Sequence, residues 1–181
     1  MREEIEAVER NKTWGLVDLP HGHRPIGLKW VYKLKKNEAD EVIKHKARLV
    51  AHGFIQQAGI DFDEVFAPVA RMESIRLLLA LAAREGWLVH HMDVKSAFLN
   101  GELKEEVYVK QPPGFVVKGE GKVLRLSKAL YGMRHAPRAS NVKLDCTLKG
   151  MGFKQSKSAS MQSTGVSPAT KNCSLEYMWM I

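Results

Sequence analysis

A single aspartate near the end of a short apolar segment is the residue of this chain whose setting best suits catalysis. Asp93 lies near the end of residues 88–94, which we predict to be a strand, and the aromatic Phe98 follows five positions later. Carboxylate oxygens are the hard ligands that Mg²⁺ prefers. A lone aspartate at a strand end is also a common solvated or capping residue, and on spacing alone that interpretation is favoured.

A second group of candidate residues is cationic. Residues 29–35 and 42–51 alternate like two strands joined by a polar turn, and Lys44, Lys46 and Arg48 share one face of the second strand. Arginine grips a phosphate through two parallel hydrogen bonds, whereas lysine acts as a point charge. The two strands make a basic hairpin, and on the pattern alone a solvated strand face is the favoured interpretation of its cations.

Histidine and cysteine occur without a spacing that predicts a metal site. The residues concerned are His21, His23, His90, His91, Cys146 and Cys173. Structural zinc sites use short, regular spacings of such residues, so we do not expect zinc here. Two cysteines indicate a reducing compartment rather than a disulfide framework.

The composition fits one ordinary domain or part of a larger protein. Of the 181 residues 45% are hydrophobic and 27% charged, so a packed core is possible and wholesale disorder is not expected. The net charge of +8 favours a polyanionic partner such as nucleic acid about as strongly as it favours a basic protein without one. Because no apolar run approaches the roughly 18 residues of a membrane span and the acidic N-terminus lacks a signal-peptide core, we expect an intracellular protein without a membrane partner. The oligomeric state stays open.

The elements that would position these residues are both helices and strands. We predict helices at 3–11, 74–84 and 137–149, the second with an apolar stripe made by Ile75, Leu78, Leu79 and Ala82. Strands are predicted at 14–20, 29–35, 42–51, 88–94, 107–109 and 123–126. After Lys157 the periodicity vanishes and Ser, Thr and Met dominate, so we expect an α+β fold followed by a disordered C-terminal tail.

Six ordered blocks of sequence resemble a known family. They are WGLV at 14–17, IGLKWVYK at 26–33, KARLVAHGF at 46–54, FAPVAR at 66–71, MDVKSAFL at 92–99 and LYGMRHAPR at 130–138. From residue 11 to about 158 the chain resembles the reverse transcriptase domain of copia-type retrotransposon polyproteins. The resemblance implies the fingers and a partial palm of a right-hand polymerase at 11–158, with 159–181 non-homologous. It also implies an RNA template and a DNA primer as partners and deoxynucleotides as substrates.

The resemblance assigns a role to the aspartate. Such polymerases hold two Mg²⁺ ions with one aspartate from the first palm strand and two from a Tyr-Val-Asp-Asp hairpin. Asp93 matches the first of these as catalytic metal ligand, and the backbone carbonyl of Val94 would be an auxiliary ligand. Phe98 would lie under the sugar and exclude a ribose 2′-hydroxyl, a role that is compatible with a place in the core.

The same resemblance assigns the other candidates. It places the cations of the hairpin in the fingers, where they would contact an incoming triphosphate: Lys44, Lys46 and Arg48. Tyr131 opens a loop that would touch template and nucleotide, and Arg134 and Arg138 would contact phosphates of the nucleic acid.

The chain departs from the family at two places. Ser140 stands where the family has a tryptophan, and losing a large aromatic there costs on the order of 3 kcal/mol if the site is buried. The second departure is that no aspartate follows Asp145, so the Tyr-Val-Asp-Asp expected near residue 180 is missing.

The genetic code offers an explanation for the missing motif. Residues 175–181 can be encoded by bases that, read from one base earlier, spell Gly-Val-Tyr-Val-Asp-Asp. We therefore expect a one-base deletion, or a splice of equivalent phase, just before Ser160, which would make the chain truncated and frame-shifted. The nucleotide sequence decides this, because an alternate frame without Tyr-Val-Asp-Asp would contradict it.

The sequence thus predicts a fragment of an RNA-directed DNA polymerase that is inactive, because Asp93 alone cannot hold two Mg²⁺ ions. Two alternatives stay open. One is a non-catalytic, basic nucleic-acid-binding module, which the hairpin and the charge support. The other is an unstable pseudogene product whose palm sheet is left with open strand edges.

Overall fold

The computed structural model describes residues 1–69, 72–116 and 121–153, together with the backbone of Leu175–Trp179. The helices within these residues are α1 (Arg2–Arg10), α2 (Met72–Glu85) and α3 (Ala136–Gly150). The strands are β1 (Trp14–Asp18), β2 (Leu28–Lys36), β3 (Val42–Ala51), β4 (Val89–Asp93), β5 (Glu102–Val109), β6 (Lys122–Lys128) and β7 (Leu175–Trp179). Short 3₁₀ helices cover Gly53–Ile55 and Ala97–Asn100. The mixture of helix and strand confirms the predicted α+β class.

The chain divides into two compact units. The first comprises Met1–Phe66 and Phe98–Ser140, and the second comprises Ala67–Ala97 and Asn141–Ile181. Among the described residues no helix is both long and apolar enough to cross a membrane.

An antiparallel sheet with the strand order β1-β6-β5 supports the first unit. Burial is concentrated at the end of β5 (Val107 to Val109) and in β6 (Val123, Leu124 and Leu126), so the paired parts of these two strands lie within the core. The buried face contributes Val107, Val109, Leu124 and Leu126 to a cluster that also takes in Ile5 and Val8 of α1. The apolar stripe of α1 therefore holds this helix against the core.

The β2–β3 hairpin is anchored at its base and extends away from the core. The N–H of Ile26, just before β2, donates to the Tyr108 carbonyl of β5, and the Ile26 carbonyl accepts the N–H of Lys110, the residue after β5; each hydrogen bond is 2.8 Å long. Leu28, Leu49 and Ala51 at the base are buried, whereas the residues nearer the turn are exposed. The hairpin thus presents both faces of its outer half to solvent.

The turn between the two strands is closed by its own side chains. The side-chain oxygen of Asn37 accepts the N–H groups of Ala39 and Glu41, and Lys36 pairs with Asp40 at 2.8 Å. Asparagine commonly closes turns in this way. The predicted hairpin and its polar turn are confirmed.

The second unit contains α2 and a parallel pair of strands. α2 buries Ile75 and Ala82 and half-buries Leu78, but Leu79 is 43% exposed, so the predicted stripe is wrong at that position.

The structure differs from the expected disordered tail at Leu175–Trp179. This segment is β7, which pairs in parallel with β4 so that Asp93 lies opposite Trp179. Leu175, Tyr177 and Trp179 alternate along it, and aromatic residues at alternate positions favour strands. The remainder of the tail, including Cys173 and the expected deletion point before Ser160, lies outside the described residues.

Candidate nucleic-acid and nucleotide site

One face of the hairpin gathers lysine and arginine side chains from both strands. The register places Lys33 opposite Lys46, Lys35 opposite Lys44 and Val31 opposite Arg48. Since alternate side chains of a strand point to the same face, Lys29 lies on this surface together with Lys33 and Lys35. We call this surface the basic face, and it consists of Lys29, Lys33, Lys35, Lys44, Lys46 and Arg48.

The basic face contains like charges in directly opposed positions. Lys33 faces Lys46 and Lys35 faces Lys44, and opposed like charges destabilise a strand pair. The members other than Lys46, which is half-buried, are exposed. Such an arrangement costs stability in the isolated protein and is relieved by an anion that spans several cations.

At the base of the hairpin, three of the predicted nucleotide-binding residues meet. The guanidinium carbon of Arg48 lies 5.0 Å from the centre of the Tyr131 ring. Phe98 packs edge-on against the same ring, with 5.1 Å between the ring centroids. Tyr131 therefore joins a cation and a second aromatic ring, which residue order alone does not reveal.

Close backbone packing fixes Tyr131 beside β3. The N–H of Ala51 donates to the carbonyl of Tyr131 at 2.7 Å, and Val50 and Tyr131 form a parallel bridge. The next residue, Gly132, has φ +85 and faces the carbonyl of Ala51 and the side chain of Val50 so closely that a Cβ would collide with both. Only glycine suits this combination of left-handed backbone and close approach.

Both arginines that were expected to contact nucleic acid have partners within the chain. Arg134 donates from Nε to the Gly53 carbonyl at 3.1 Å and from Nη2 to the Phe54 carbonyl at 3.4 Å. Arg138 pairs with Glu64, with 2.6 Å between Nη2 and Oε2. These contacts hold the segment after β3, from Gly53 to Glu64, in place. A phosphate that binds either arginine would have to compete with them.

A buried pair beside Arg134 is a feature that sequence reasoning missed. The side-chain oxygen of Gln56 accepts the backbone N–H of Arg134 at 2.9 Å, and its amide nitrogen lies 3.5 Å from Nδ1 of His135. Because an amide nitrogen only donates, a hydrogen bond here needs the tautomer of His135 whose proton is on Nε2. Burial lowers the pKa of His135, and the charges of Glu105 and Asp61 oppose that shift.

Ser140, the first departure from the family pattern, lies in a buried place. It is 4% exposed, and its backbone nitrogen lies close to Gly101. Because the site is buried, replacing a large aromatic residue by serine at this position is expected to lower the stability of the fold.

Asp93 and Val94 belong to the second unit. Asp93 is the last residue of β4 and is exposed, and Val94 is half-buried. No group of three or more His, Cys, Asp or Glu side chains that could share a metal occurs in the part of the chain that the structure describes. A pair of Mg²⁺ ions needs several carboxylates, so the described residues do not fit the metal pair that the resemblance implies.

Comparison with known proteins identifies the family. The family described as reverse transcriptase (RNA-dependent DNA polymerase) matches residues 11–165. The chain is 49% identical over 154 residues to the retrovirus-related Pol polyprotein from transposon TNT 1-94 of Nicotiana tabacum, a match that covers 84% of this chain and 12% of that protein. It is 43% identical over 160 residues to the corresponding polyprotein from transposon RE1 of Arabidopsis thaliana, covering 87% of this chain and 11% of that protein.

No solved structure matches the chain. The family match covers most of its length, and the relatives are polyproteins of transposons. The chain therefore belongs to the reverse transcriptase (RNA-dependent DNA polymerase) family, in its copia-type retrotransposon branch.

Proposed function

We propose that this chain is a fingers and partial-palm segment, at 11–158, of a copia-type reverse transcriptase, and that a polypeptide of these 181 residues does not polymerise. Family membership supports the first part. The second part rests on Asp93, the ancestral metal ligand, which would act with the Val94 carbonyl but has no further aspartate after Asp145 to complete the site. Loss of the second and third carboxylates removes the charge that would hold two Mg²⁺ ions.

Primer extension tests the proposed inactivity. The purified 181-residue chain is given an RNA template, a DNA primer, deoxynucleotides and Mg²⁺, with Asp93→Ala as the matched control. We expect no extension from either protein. Incorporation by the wild-type chain above that of Asp93→Ala would overturn the proposal, because it would show a working metal site that includes Asp93.

The basic face supports a second, non-catalytic function, which is binding of nucleic acid. Opposed lysines on a protruding hairpin create a site whose charge repulsion a phosphate chain relieves. At one end of this surface, Arg48, Tyr131 and Phe98 offer a cation and two aromatic rings, which suit a phosphate and a sugar or base. We propose an RNA–DNA hybrid as the partner and a deoxynucleotide as the ligand at that end.

Filter binding with an RNA–DNA hybrid across a range of salt concentrations tests this second function. The variant Lys44→Gln/Lys46→Gln/Arg48→Gln removes three charges from the basic face. The control Lys104→Gln/Lys110→Gln/Lys122→Gln removes three exposed charges from β5, its end and β6. We expect the first variant to lower the slope of log affinity against log salt by about 2–3 and the control to change it by less than about 1.

Two outcomes would contradict nucleic-acid binding at the basic face. One is the absence of any binding by the wild-type chain at low salt. The other is an equal loss of affinity in the two triple variants, which would mean that net charge alone drives the association.

A further inference from the structure

Helix α1 brings carboxylates to the edge of the basic face. Oε1 of Glu4 accepts the backbone N–H of Leu49 in β3 at 3.4 Å. Oε2 of Glu3 lies 4.0 Å from Nζ of Lys44. The Tyr32 hydroxyl, which belongs to the opposite face of the hairpin, reaches the sulfur of Met1 at 3.5 Å, so the start of α1 lies beside the hairpin and its carboxylates approach the basic face from the side.

The electrostatics of Glu4 show that the cations of β3 act on it. Burial raises the pKa of the Glu4 carboxyl, while the Leu49 N–H and the charges of Arg48 and Lys46 oppose that rise. Interaction energies between charges are mutual, so the Glu4 carboxylate reduces the positive potential at Arg48 and Lys46 as much as they favour its ionisation.

The position of these carboxylates is fixed by packing. Ile5 lies between the glutamates and the rest of the helix, and together with Val8 it is buried in the core cluster. A carboxylate on a docked helix stays near its cations without the entropy loss that a flexible acidic tail would pay. Helix α1 also precedes residue 11, where the match to the reverse transcriptase family begins.

We propose that α1 is an intramolecular counterion for the basic face, in which Glu3 and Glu4 neutralise part of its charge and weaken nucleic-acid binding there. The inference rests on the binding function proposed above. The carboxylates and the phosphate chain compete for Lys44, Lys46 and Arg48, so nucleic acid must overcome these contacts before it gains the full charge of the surface.

Charge-matched variants within the same helix test the proposal on the full 181-residue chain. Glu3→Gln/Glu4→Gln removes the two carboxylates at the hairpin, and the glutamine at position 4 can still accept the Leu49 N–H. The control Glu6→Gln/Glu9→Gln raises the net charge equally from two exposed positions of α1. Binding of an RNA–DNA hybrid is measured at low salt by filter retention, and thermal melting monitors the fold.

We expect the hairpin-facing variant to bind about threefold to tenfold more tightly than wild type, and the control less than about twofold more tightly, from the usual strength of exposed ion pairs. The single variant Glu3→Gln should also bind more tightly than wild type. Because the Glu3 side chain is 88% exposed, this substitution carries little risk to folding. Equal affinity gains in the two double variants, or no gain in the first, would overturn the counterion role.

A combined variant separates this inference from the proposed function. When Glu3→Gln/Glu4→Gln is added to Lys44→Gln/Lys46→Gln/Arg48→Gln, the gain should disappear, because the cations that the glutamates neutralise are gone. Should the three cations prove irrelevant to binding, the binding function itself fails. Should they matter while both glutamate pairs behave alike, only the counterion role fails.

Discussion

Arg48 is a long cationic side chain that is ordered by contact with an aromatic ring. Its guanidinium packs against the Tyr131 ring, which orders a long side chain without neutralising its charge. A pre-ordered guanidinium loses less freedom when it meets phosphate than a lysine on a free stem. The candidate site therefore includes the aromatic rings at the base of the hairpin together with its cations.

Tyr131→Ala should lower the free energy of unfolding by about 1–2 kcal/mol, because the variant loses both the cation contact with Arg48 and the edge contact with Phe98. Tyr131→Phe keeps the ring and should stay within about 0.5 kcal/mol of wild type. Urea unfolding of the three proteins measures the difference. Equal losses in both variants would assign the stabilisation to the hydroxyl instead of the ring.

His135 should make the stability depend on pH near neutrality. Burial lowers its pKa below the ordinary value of 6.5, so the unfolded chain takes up a proton at a higher pH than the folded chain. The stability due to the neutral imidazole is fully present above pH 6.5 and is lost as the pH falls below 6.5, by at most about 1.4 kcal/mol per pH unit.

Comparison with His135→Gln isolates this effect, since the other titrating groups are the same in both proteins. Urea unfolding at several pH values from 8 to 5 should show the stability of wild type falling relative to the variant as the pH drops. A difference that stays constant over this range, or that grows in favour of wild type at low pH, would contradict the assignment to His135.

Hydrogen bonds hold the end of β3 and the following Gly53 and Phe54 against the loop from Tyr131 to Arg134, and we call this connection the joint. Ala51 and Tyr131 share a hydrogen bond, and Arg134 holds the carbonyls of Gly53 and Phe54. Gly53 lies against the Gly132 carbonyl so closely that it has no room for a Cβ. This joint positions Tyr131 beside Arg48, so the geometry of the candidate site depends on backbone contacts between distant segments.

Gly132→Ala should therefore destabilise the fold more than the same substitution at another glycine with a left-handed backbone conformation. Gly114 has a similar φ of +82, but no atom lies within 4 Å of the point that an alanine Cβ would occupy, so Gly114→Ala costs only the backbone strain, about 1 kcal/mol. Gly132→Ala adds a collision with backbone and should cost about 2 kcal/mol or more. Chemical denaturation compares the two, and similar losses would show that the joint yields without cost.

Among the residues that the structure describes, the hydrophobic cluster lies in one of the two units. The members of the hydrophobic cluster come from Met1–Phe66 and Phe98–Ser140, whereas α2 in the second unit buries only Ile75 and Ala82. Local stability follows the density of buried apolar contacts. The candidate binding face thus rests on the well-packed unit, and Asp93 belongs to the other.

Hydrogen exchange should reveal this inequality. We expect the amides of β5 and β6 to exchange most slowly and those of α2 to exchange at least tenfold faster, on the order of a 1.4 kcal/mol difference in opening free energy. Exchange followed by mass spectrometry or NMR measures it. Protection of α2 equal to that of β6 would contradict the expectation, and uniformly fast exchange would instead favour the unstable pseudogene product.

The sequence predicted what depends on local periodicity. Alternation places Lys44, Lys46 and Arg48 on one face of β3, and the structure confirms both strands of the hairpin. It did not predict that Arg48 meets Tyr131, because the two residues are far apart in the chain and meet only through tertiary packing. The partners of Arg134 and Arg138 were missed for the same reason.

Two further residues show where sequence reasoning stops. Only the resemblance to a polymerase motif singles out Asp93, whereas its residue type and position alone favour a solvated residue at that strand end. Glu4 gave no signal, since a glutamate in the first turn of a helix is ordinary. Its contact with Leu49 depends on how α1 docks, which local pattern does not encode.

The strict alternation of the hairpin also limits how the length of this segment can change during evolution. Leu49 and Ala51 are tied at the base by Glu4 and Tyr131, so an extra codon between Arg48 and Leu49 would turn the cations above it to the opposite face. Two extra codons would turn them back. An insertion of one or three residues within β3 would thus move its cations to the face where Tyr32 and Leu34 are exposed. The turn at the far end of the hairpin can change in length without moving the cations to the other face.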